Sequence, residues 1–504
     1  MISPPAVNII AIVPELVIAC SAIVLILLAA LVDKDKISSA SGAGVTGWAG
    51  VYSLLVLLAS VFFIHFQNGS ISSGALTTFS GMIILDRFAI YCNYLIALAA
   101  IAVVLMSLRY DAEFDLKEIE FYILILFCTV GMMLMASAGD LLALFIALEI
   151  MSLSIYVLVG FVRAKNEAHE AAFKYFTLGA FASAIFVFGS ALIYGQVGST
   201  RLADIASAPC PAAHSPLLML GIAMILAAFF FKVSGVPFHM WTPDVYQAAP
   251  MPITGFMATG VKIAAFAGLI RFLVSSHAVA GPGLEKALYV LAMMTLLLGS
   301  MAALSQRNLK RLLAYSSITH VGYMVMALLP GSPSGYGSVL FYLLTYLIVN
   351  VGLFSILICF SRKGAECATF DDLKGLGRQH PYMALLVGIF IFSLAGIPPT
   401  AGFMGKLTLF YAAVQGGYIG LTVLAVLTSA ISLFYYLKIL MAMFSESAEG
   451  TPSASGAGVE APHTCPLNPL AVLIAGIAAA AVMIIGILPG SFINWAAQAA
   501  GVLF

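Results

Sequence analysis

Four charged residues, Glu149, Lys232, Lys262 and Lys406, each sit inside a long apolar run. A charge at the centre of a membrane-spanning helix costs roughly 2.5–3.5 kcal/mol on insertion scales, so each of the four needs a partner or a wet cavity. The simpler structural reading makes them salt-bridged packing residues or snorkelling stems, but one carboxylate cannot neutralise three lysines. Lysine suits proton transfer for a physical reason. Burial favours the neutral amine and a nearby carboxylate favours the ammonium, so a buried lysine with a movable acidic neighbour can be loaded and emptied. Histidine titrates near neutrality and can bridge such sites. His320 and His239 are candidates for that role, although a lone histidine is more often structural. For Lys174 and Lys438, near helix ends, snorkelling explains the charge equally well.

The elements that must hold these residues follow from composition. Of 504 residues, 62% are hydrophobic and 9% charged, with a mean hydropathy of +1.08, where a soluble domain carries roughly 25% charged residues. This is an all-α polytopic membrane protein. The formal net charge is zero and there is no charged tail, so nothing points to a nucleic-acid partner. The seven cysteines are scattered without a C-x-x-C, which argues against a disulfide framework, a zinc site or an iron–sulfur cluster held by this chain. Apolar runs long enough to cross a ~30 Å hydrocarbon core occur about fourteen times: 6–32, 43–65, 81–108, 119–138, 141–162, 169–195, 215–247, 251–276, 285–305, 310–329, 334–360, 380–416, 417–444 and 468–496. The first of these lacks the flanks of a signal peptide and is expected to span.

Lysine and arginine accumulate on the cytoplasmic side. With the N-terminus outside, that side holds Lys34, Lys36, Arg109, Lys117, Arg163, Lys165, Lys174, Arg307, Lys310, Arg311, Arg362, Lys363, Lys374, Arg378 and Lys438. The other side holds Arg87, Arg201, Arg271 and Lys286. Fifteen against four predicts both termini on the non-cytoplasmic side. The stretch 445–467, rich in Ser, Ala, Gly and Pro, reads as a flexible cytoplasmic loop.

Weak internal similarity recurs in a common order. Leu142 and Ala143 align with Leu313 and Ala314, which sets Glu149 opposite His320; Phe173, Thr177 and Phe186 align with Phe341, Thr345 and Phe354. The sequence SGVP from Ser234 matches AGIP from Ala395. Five spans separate the copies, an odd number, so the second must enter the membrane from the opposite side, the inverted-repeat plan of transporters with a broken helix in each half. The expected divisions are a three-helix segment 1–118, repeats 119–284 and 285–444, the loop 445–467 and a final spanning segment 468–504. Proline removes a donor and glycine loosens the helix at each break, and the carbonyls so freed are tolerated only where they line a cavity or are buried in protein. A simple proline kink explains one such break less readily when two fall at matching positions, each beside a lysine. The run around Lys406 is not a phosphate loop, since the glycine spacing and the following Ser or Thr are missing.

FKVSGVPFHMWTPDVYQAAP from Phe231, KIAAF from Lys262, NLKRLLAYSSITHVGY from Asn308 and GIPPTAGFMGK from Gly396 together resemble the antiporter-like membrane subunits of respiratory complex I, over essentially the whole chain. Lys406 favours the branch of that family called subunit N of bacterial NADH–quinone oxidoreductase, because the M and L branches typically carry glutamate there. The resemblance implies a coupled pair in Glu149 and Lys232 near the intracellular mouth of a proton path, a central lysine in Lys262 and a terminal lysine in Lys406. It implies water-linked relay positions at His320, His239, Tyr315 and Lys174.

The expected function is that of a proton-translocating subunit of a redox-driven pump in a bacterial inner membrane. Its partners would be the other membrane-arm and peripheral-arm subunits, and NADH, FMN, iron–sulfur clusters and quinone would be bound by those subunits, with no cofactor or metal on this chain. The main alternative is a subunit of a multi-subunit cation/proton antiporter, which shares this helix plan. A membrane scaffold is the third, and four buried charges speak against it, since leucine would serve a scaffold better.

Overall fold

Lipid cannot satisfy backbone N–H and C=O groups, so apolar segments of this length must pair their own backbone as helices. The computed structural model describes residues 7–31, 44–71, 74–114, 119–163, 165–207, 215–276, 282–361, 364–445 and 468–504. Lys34, Lys36, Lys117, Arg362, Lys363, Cys210, Cys465 and all of the loop 445–467 except Ser445 lie outside the described residues.

In chain order the principal helices are α1 (Val13–Leu31), α2 (Gly44–Ser70), α3 (Arg87–Phe114), α4 (Ile119–Ser137), α5 (Leu141–Val159), α6 (Asn166–Val197), α7 (Pro216–Val233) and α8 (Thr242–Ala248). The next is α9 (Met251–Ser276), whose middle turn, Met257–Val261, is a π-helix. Then follow α10 (Pro282–Leu304), α11 (Leu309–Leu328), α12 (Pro333–Phe360), α13 (Pro381–Ala395), α14 (Ala401–Gln415), α15 (Ile419–Phe444), α16 (Pro469–Ile487) and α17 (Gly490–Gly501). A two-stranded antiparallel hairpin, β1 (Leu76–Thr78) with β2 (Ile83–Leu85), sits between α2 and α3.

Twelve of these helices are long and apolar enough to cross a membrane among the described residues. Two of the expected segments are not in that set. The run 310–329 forms α11, which has 20 residues but carries Lys310, Arg311, His320 and several hydroxyls. The run 380–416 divides into α13 and α14, and 215–247 divides likewise into α7 and α8. A third division was not expected: 468–496 stops at Ile487, before Leu488-Pro489-Gly490, and resumes as α17. Proline cannot donate within a continuing helix, which accounts for each stop.

The bundle is layered around α9 and α12, both 94% buried over their most apolar stretch, whereas α1, α2, α6, α10, α15 and α16 reach only 33–39% and form the outer wall. Helix α12 packs against α3, α9, α11, α13, α14, α16 and α17. A buried ion pair clamps α9 near each end. Near its C-terminal end Arg271 donates through Nη1 and Nη2 to Asp86 (3.0 and 2.8 Å) and through Nε to the Ala136 carbonyl (2.6 Å). At its N-terminal end Glu366 accepts from the Met251 backbone N–H (2.8 Å), from Lys310 Nζ (2.7 Å) and from the Tyr110 hydroxyl. Lys310 also donates to the Ala249 carbonyl at 2.5 Å.

Burial alone would raise the Glu366 carboxyl, but the Lys310 charge and hydrogen bond, with the Tyr110 hydrogen bond, hold it below its ordinary 4.5. A carboxyl depressed in the folded state stabilises above its unfolded value and loses that contribution as pH falls through its folded value. Glu366→Ala strands a buried ammonium and is expected to cost about 3–5 kcal/mol. The melting temperature of the purified protein should fall accordingly at pH 7, and the gap between wild type and variant should narrow below pH 4.5.

Candidate functional site

The sequence-predicted residues fall into three stations along the bundle. At the first, Glu149 on α5 is half-buried in a groove against α6, lined by Phe145, Ala180, Ala184 and Val187, and accepts a hydrogen bond from the Ser183 hydroxyl. Lys232 lies in the last turn of α7, where the helix dipole favours a cation. Its Nζ donates to Ser152 Oγ (2.6 Å) and to the Tyr156 hydroxyl (3.0 Å), and it lies 5.1–5.7 Å from the ring centres of Tyr156, Tyr175 and Phe231. Glu149 and Lys232 are not within ion-pair distance; α5 joins them instead, because Ser152 and Tyr156 follow Glu149 by one and two turns on the same face.

Beyond Lys232 the helix stops at Ser234, which takes a left-handed conformation (φ 69°). Trp241 stacks on Tyr175 with centroids 4.1 Å apart and donates to the Phe231 carbonyl at 3.0 Å. His239 is buried in this break, and its Nδ1, Ser234 Oγ, Thr242 Oγ1 and the Tyr175 hydroxyl have no hydrogen-bond partner among the described residues. Ordered water is the usual partner of such grouped polar atoms.

The second station is Lys262, directly after the π turn of α9, where the extra residue per turn re-aims the side chain. Its Nζ donates to the Ser317 carbonyl (3.1 Å) and to the Ser317 hydroxyl on α11. The third is Lys406 on α14. Its Nζ donates to the Ala395 carbonyl (2.9 Å) and to Ser429 Oγ (2.8 Å), and it lies 5.2 Å from the centre of the Tyr323 ring. The Ala395 carbonyl is available for a definite reason: the residue four positions on, which would close its helical bond, is Pro399 and has no N–H. The break beside Lys406 thus supplies that lysine with its acceptor.

Helix α11 links the second and third stations. Ser317, His320 and Tyr323 follow one another at three-residue intervals on one face. His320 pairs through Nδ1 with the Tyr342 hydroxyl and through Nε2 with the Tyr436 hydroxyl (2.9 Å), and Tyr436 also pairs with Ser316. The His320 ring lies 5.6 Å from Tyr323 and 5.1 Å from Tyr346. Ser317, His320 and Tyr323 thus set a row of polar side chains between Lys262 and Lys406, hydrogen-bonded at the Lys262 end and in ring contact from His320 through Tyr323 to Lys406. Between Lys232 and Lys262 no side-chain hydrogen bond makes such a link among the described residues.

Two predicted relay residues stand apart from this path. Tyr315 is half-buried against the core and its hydroxyl makes no hydrogen bond among the described residues. Lys174 is exposed and ion-paired to Glu170 (2.7 Å) and Asp244 (3.4 Å), and Asp244 also pairs with Arg311 (2.6 Å). Sequence reasoning missed Ser152, Tyr156, Ser183, Ser317, Tyr342, Ser429 and Tyr436. Serine is common in apolar helices and hydrogen-bonds its own backbone there, so nothing in its type or spacing marks the ones that meet a lysine.

Residues 138–432 match the family model described as NADH:quinone oxidoreductase/Mrp antiporter, transmembrane. A curated relative from Trichlorobacter lovleyi, named NADH-quinone oxidoreductase subunit N, is 43% identical over 425 residues, covering 84% of this chain and 85% of the relative. A chain in a structure of respiratory complex I from Thermus thermophilus superposes with a TM-score of 0.78 at 33% identity, covering 95% of this chain and 98% of that one. A chain of the Mrp complex from a Dietzia species superposes with a TM-score of 0.82 over 98% of both chains at 23% identity, a likeness of fold.

Gly396 decides whether Lys406 can reach its acceptor. It takes φ 86°, and a Cβ there would stand 2.9 Å from Lys406 Cδ. Gly396→Ala is expected to cost about 1–2 kcal/mol from the left-handed backbone alone, plus the displacement of the lysine stem. Gly388→Ala on α13, where the nearest atom to the new Cβ would be 4.0 Å away, is the control and should be neutral or stabilising. Melting temperatures of the two variants should move in opposite directions or differ by several degrees.

Proposed function

Because this chain belongs to the NADH:quinone oxidoreductase/Mrp antiporter family of transmembrane subunits, we propose that it is a proton-translocating membrane-arm subunit of a bacterial NADH–quinone oxidoreductase. The observation that carries this reading is the run of buried proton-exchanging groups from Lys262 through Ser317, His320 and Tyr323 to Lys406, held by α11 across the middle of the bundle. Glu149 and Lys232 form the intake. Quinone reduction elsewhere in the complex shifts the charge at Glu149, and α5 passes the shift to Lys232 through Ser152 and Tyr156. Lys232 releases its proton toward Lys262, and Lys262 toward Lys406. The step from Lys232 to Lys262 crosses an interval with no side-chain bridge among the described residues, so water supports it, and the unpartnered polar atoms at the α7–α8 break are where that water enters. His239 and Lys174 serve this intake side, the first at the break and the second at its rim; Tyr315 sits at the flank of α11.

The redox groups, namely NADH, FMN, iron–sulfur clusters and quinone, belong to partner subunits of both arms. The two breaks, each reached through a left-handed residue (Ser234 and Gly396), support two inverted five-helix repeats, α4 to α9 and α10 to α15, and α11 with the α13–α14 pair brings the crossings to fourteen. The chain lies in the bacterial inner membrane with both termini on the non-cytoplasmic side, a placement that the fifteen-to-four distribution of basic residues supports.

Lys232→Ala and Glu149→Ala, introduced into the native complex, should reduce NADH-driven proton pumping at least roughly tenfold while assembly is retained; normal pumping in either variant sinks the reading. The antiporter alternative rests on shared fold and predicts no NADH-dependent quinone reduction by the purified native complex. For orientation, Phe504→Cys should react with a membrane-impermeant maleimide added outside intact cells and not with the same reagent added outside inverted vesicles, which expose the cytoplasmic face.

A further inference from the structure

Each of the three lysines Lys232, Lys262 and Lys406 is met by a serine from another helix, and by no carboxylate among the described residues. Lys232 of α7 donates to Ser152 of α5, Lys262 of α9 to Ser317 of α11, and Lys406 of α14 to Ser429 of α15. Ser152 and Ser317 are fully buried. No carboxylate oxygen lies within 4.0 Å of any of the three ammonium nitrogens among the described residues. The buried basic groups outside this row do meet carboxylates, Lys310 with Glu366 and Arg271 with Asp86.

The two kinds of partner differ chemically. A carboxylate only accepts, so it holds an ammonium strongly, a neutral amine only through a weaker uncharged N–H donor, and offers nothing to the amine's lone pair. A serine hydroxyl both accepts and donates, and can therefore bond either form. We propose that Ser152, Ser317 and Ser429 are positioning residues that hold the three lysine amines in place in both their charged and neutral forms. The inference rests on the lysines being the proton carriers.

In the loaded state Nζ–H donates to the serine oxygen. When the proton leaves Nζ for the next acceptor in the path, the nitrogen lone pair is free, and the serine O–H turns to donate to it. The hydroxyl leaves little behind: Ser152 releases the Leu148 carbonyl one turn back on its own helix, and Ser429 releases the Ala395 carbonyl (3.3 Å), to which the neutral Lys406 amine can still donate. The amine does not swing away between the two states, which keeps the distance to the next site fixed through the cycle. Around the central pair the other titratable side chains are Tyr246, Tyr346 and His320, groups that can also donate and accept.

The test compares three substitutions at Ser317 in the native complex, read as protons pumped per NADH oxidised and as pumping rate. Ser317→Ala should slow pumping roughly tenfold, the size expected for losing one hydrogen bond to a charged group. Ser317→Thr keeps the hydroxyl and should restore the rate to within about twofold. Ser317→Asp should impair pumping more than Ser317→Ala, because it fixes Lys262 as an ammonium. Wild-type pumping in Ser317→Ala overturns the proposal, as does equal impairment in Ala and Thr, or an Asp variant more active than the Ala variant. Should the Ser317 variants fail to assemble, the same three substitutions at the less buried Ser429 carry the test. Lys262→Ala separates the two levels: normal pumping there removes the carrier reading itself, whereas a dead Lys262→Ala beside a normal Ser317→Ala removes only the role of the serine.

Discussion

The structure depends on one constraint: three ammonium groups must be solvated by the protein's own oxygen atoms, deep in a bundle whose surroundings offer none. Leaving a charge unsolvated there is prohibitive, and the desolvation of a paired charge is offset only if every remaining proton finds an acceptor. The molecule meets this with serine hydroxyls, tyrosine hydroxyls and ring faces, and main-chain carbonyls that local geometry leaves open. The interruptions in the helices follow from the same need. Pro399 frees the Ala395 carbonyl for Lys406, and the π turn before Lys262 turns its amine toward α11. What would be defects in an ordinary spanning helix are the means by which the lysines are kept.

Helix α11 is the least apolar of the long helices, and its position explains why the bundle can accommodate it. It lies against α10, α12, α14 and α15, so its hydroxyls and His320 face protein and not lipid. Its partners must then hold a fixed register, because a shift of one residue would turn Ser317 and His320 away from Lys262 and the two tyrosines. The buried ion pairs at the two ends of α9 provide that register. Lys310, from the first turn of α11, is itself half of one of them, so the helix that carries Lys262 and the helix that receives its hydrogen bonds are anchored to each other at their shared end.

Much of this was legible in the sequence and some of it was not, for physical reasons. Segment 251–276 was read with the observed bounds, because a continuous apolar run between a proline and a glycine-rich stretch leaves little freedom. The four central charges stood out because an ionised group in an apolar run is rare enough to carry information by itself. The division of 468–496 at Pro489 was missed, since one proline in an apolar run is compatible with a kinked span as well as with a stop. The coupling of Glu149 with Lys232 implied by the resemblance has no ion pair behind it among the described residues; Ser152 and Tyr156, on the same face of α5 as Glu149, are what meet Lys232. Whether two side chains on different helices touch depends on rotation and tilt, which sequence spacing within one helix does not fix. The serines were invisible for the opposite reason to the lysines: they are cheap to bury, so their presence in a helix signals nothing until the partner across the interface is known.

Cheapness to bury is also what makes serine suited to a site that must change charge. A carboxylate beside each lysine would form a neutral pair in the loaded state and leave a lone buried anion in the empty one, raising the cost of every proton release by the price of that anion. With a hydroxyl the empty state is neutral throughout and the loaded state carries one positive charge shared with a hydroxyl and, at Lys262 and Lys406, a carbonyl, or, at Lys232 and Lys406, an aromatic face. The difference in solvation between the two states is then smaller, and on the proposed reading nothing in the hydroxyl partners themselves favours one direction along the row. Direction must therefore come from outside the row. Glu149 stands at one end of it, half-exposed in a groove on the bundle surface, where a neighbouring charge can act on it without entering the core. On the proposed reading the division of labour is spatial: lysines held by hydroxyls in the interior, and Glu149 as an acidic control point at the edge.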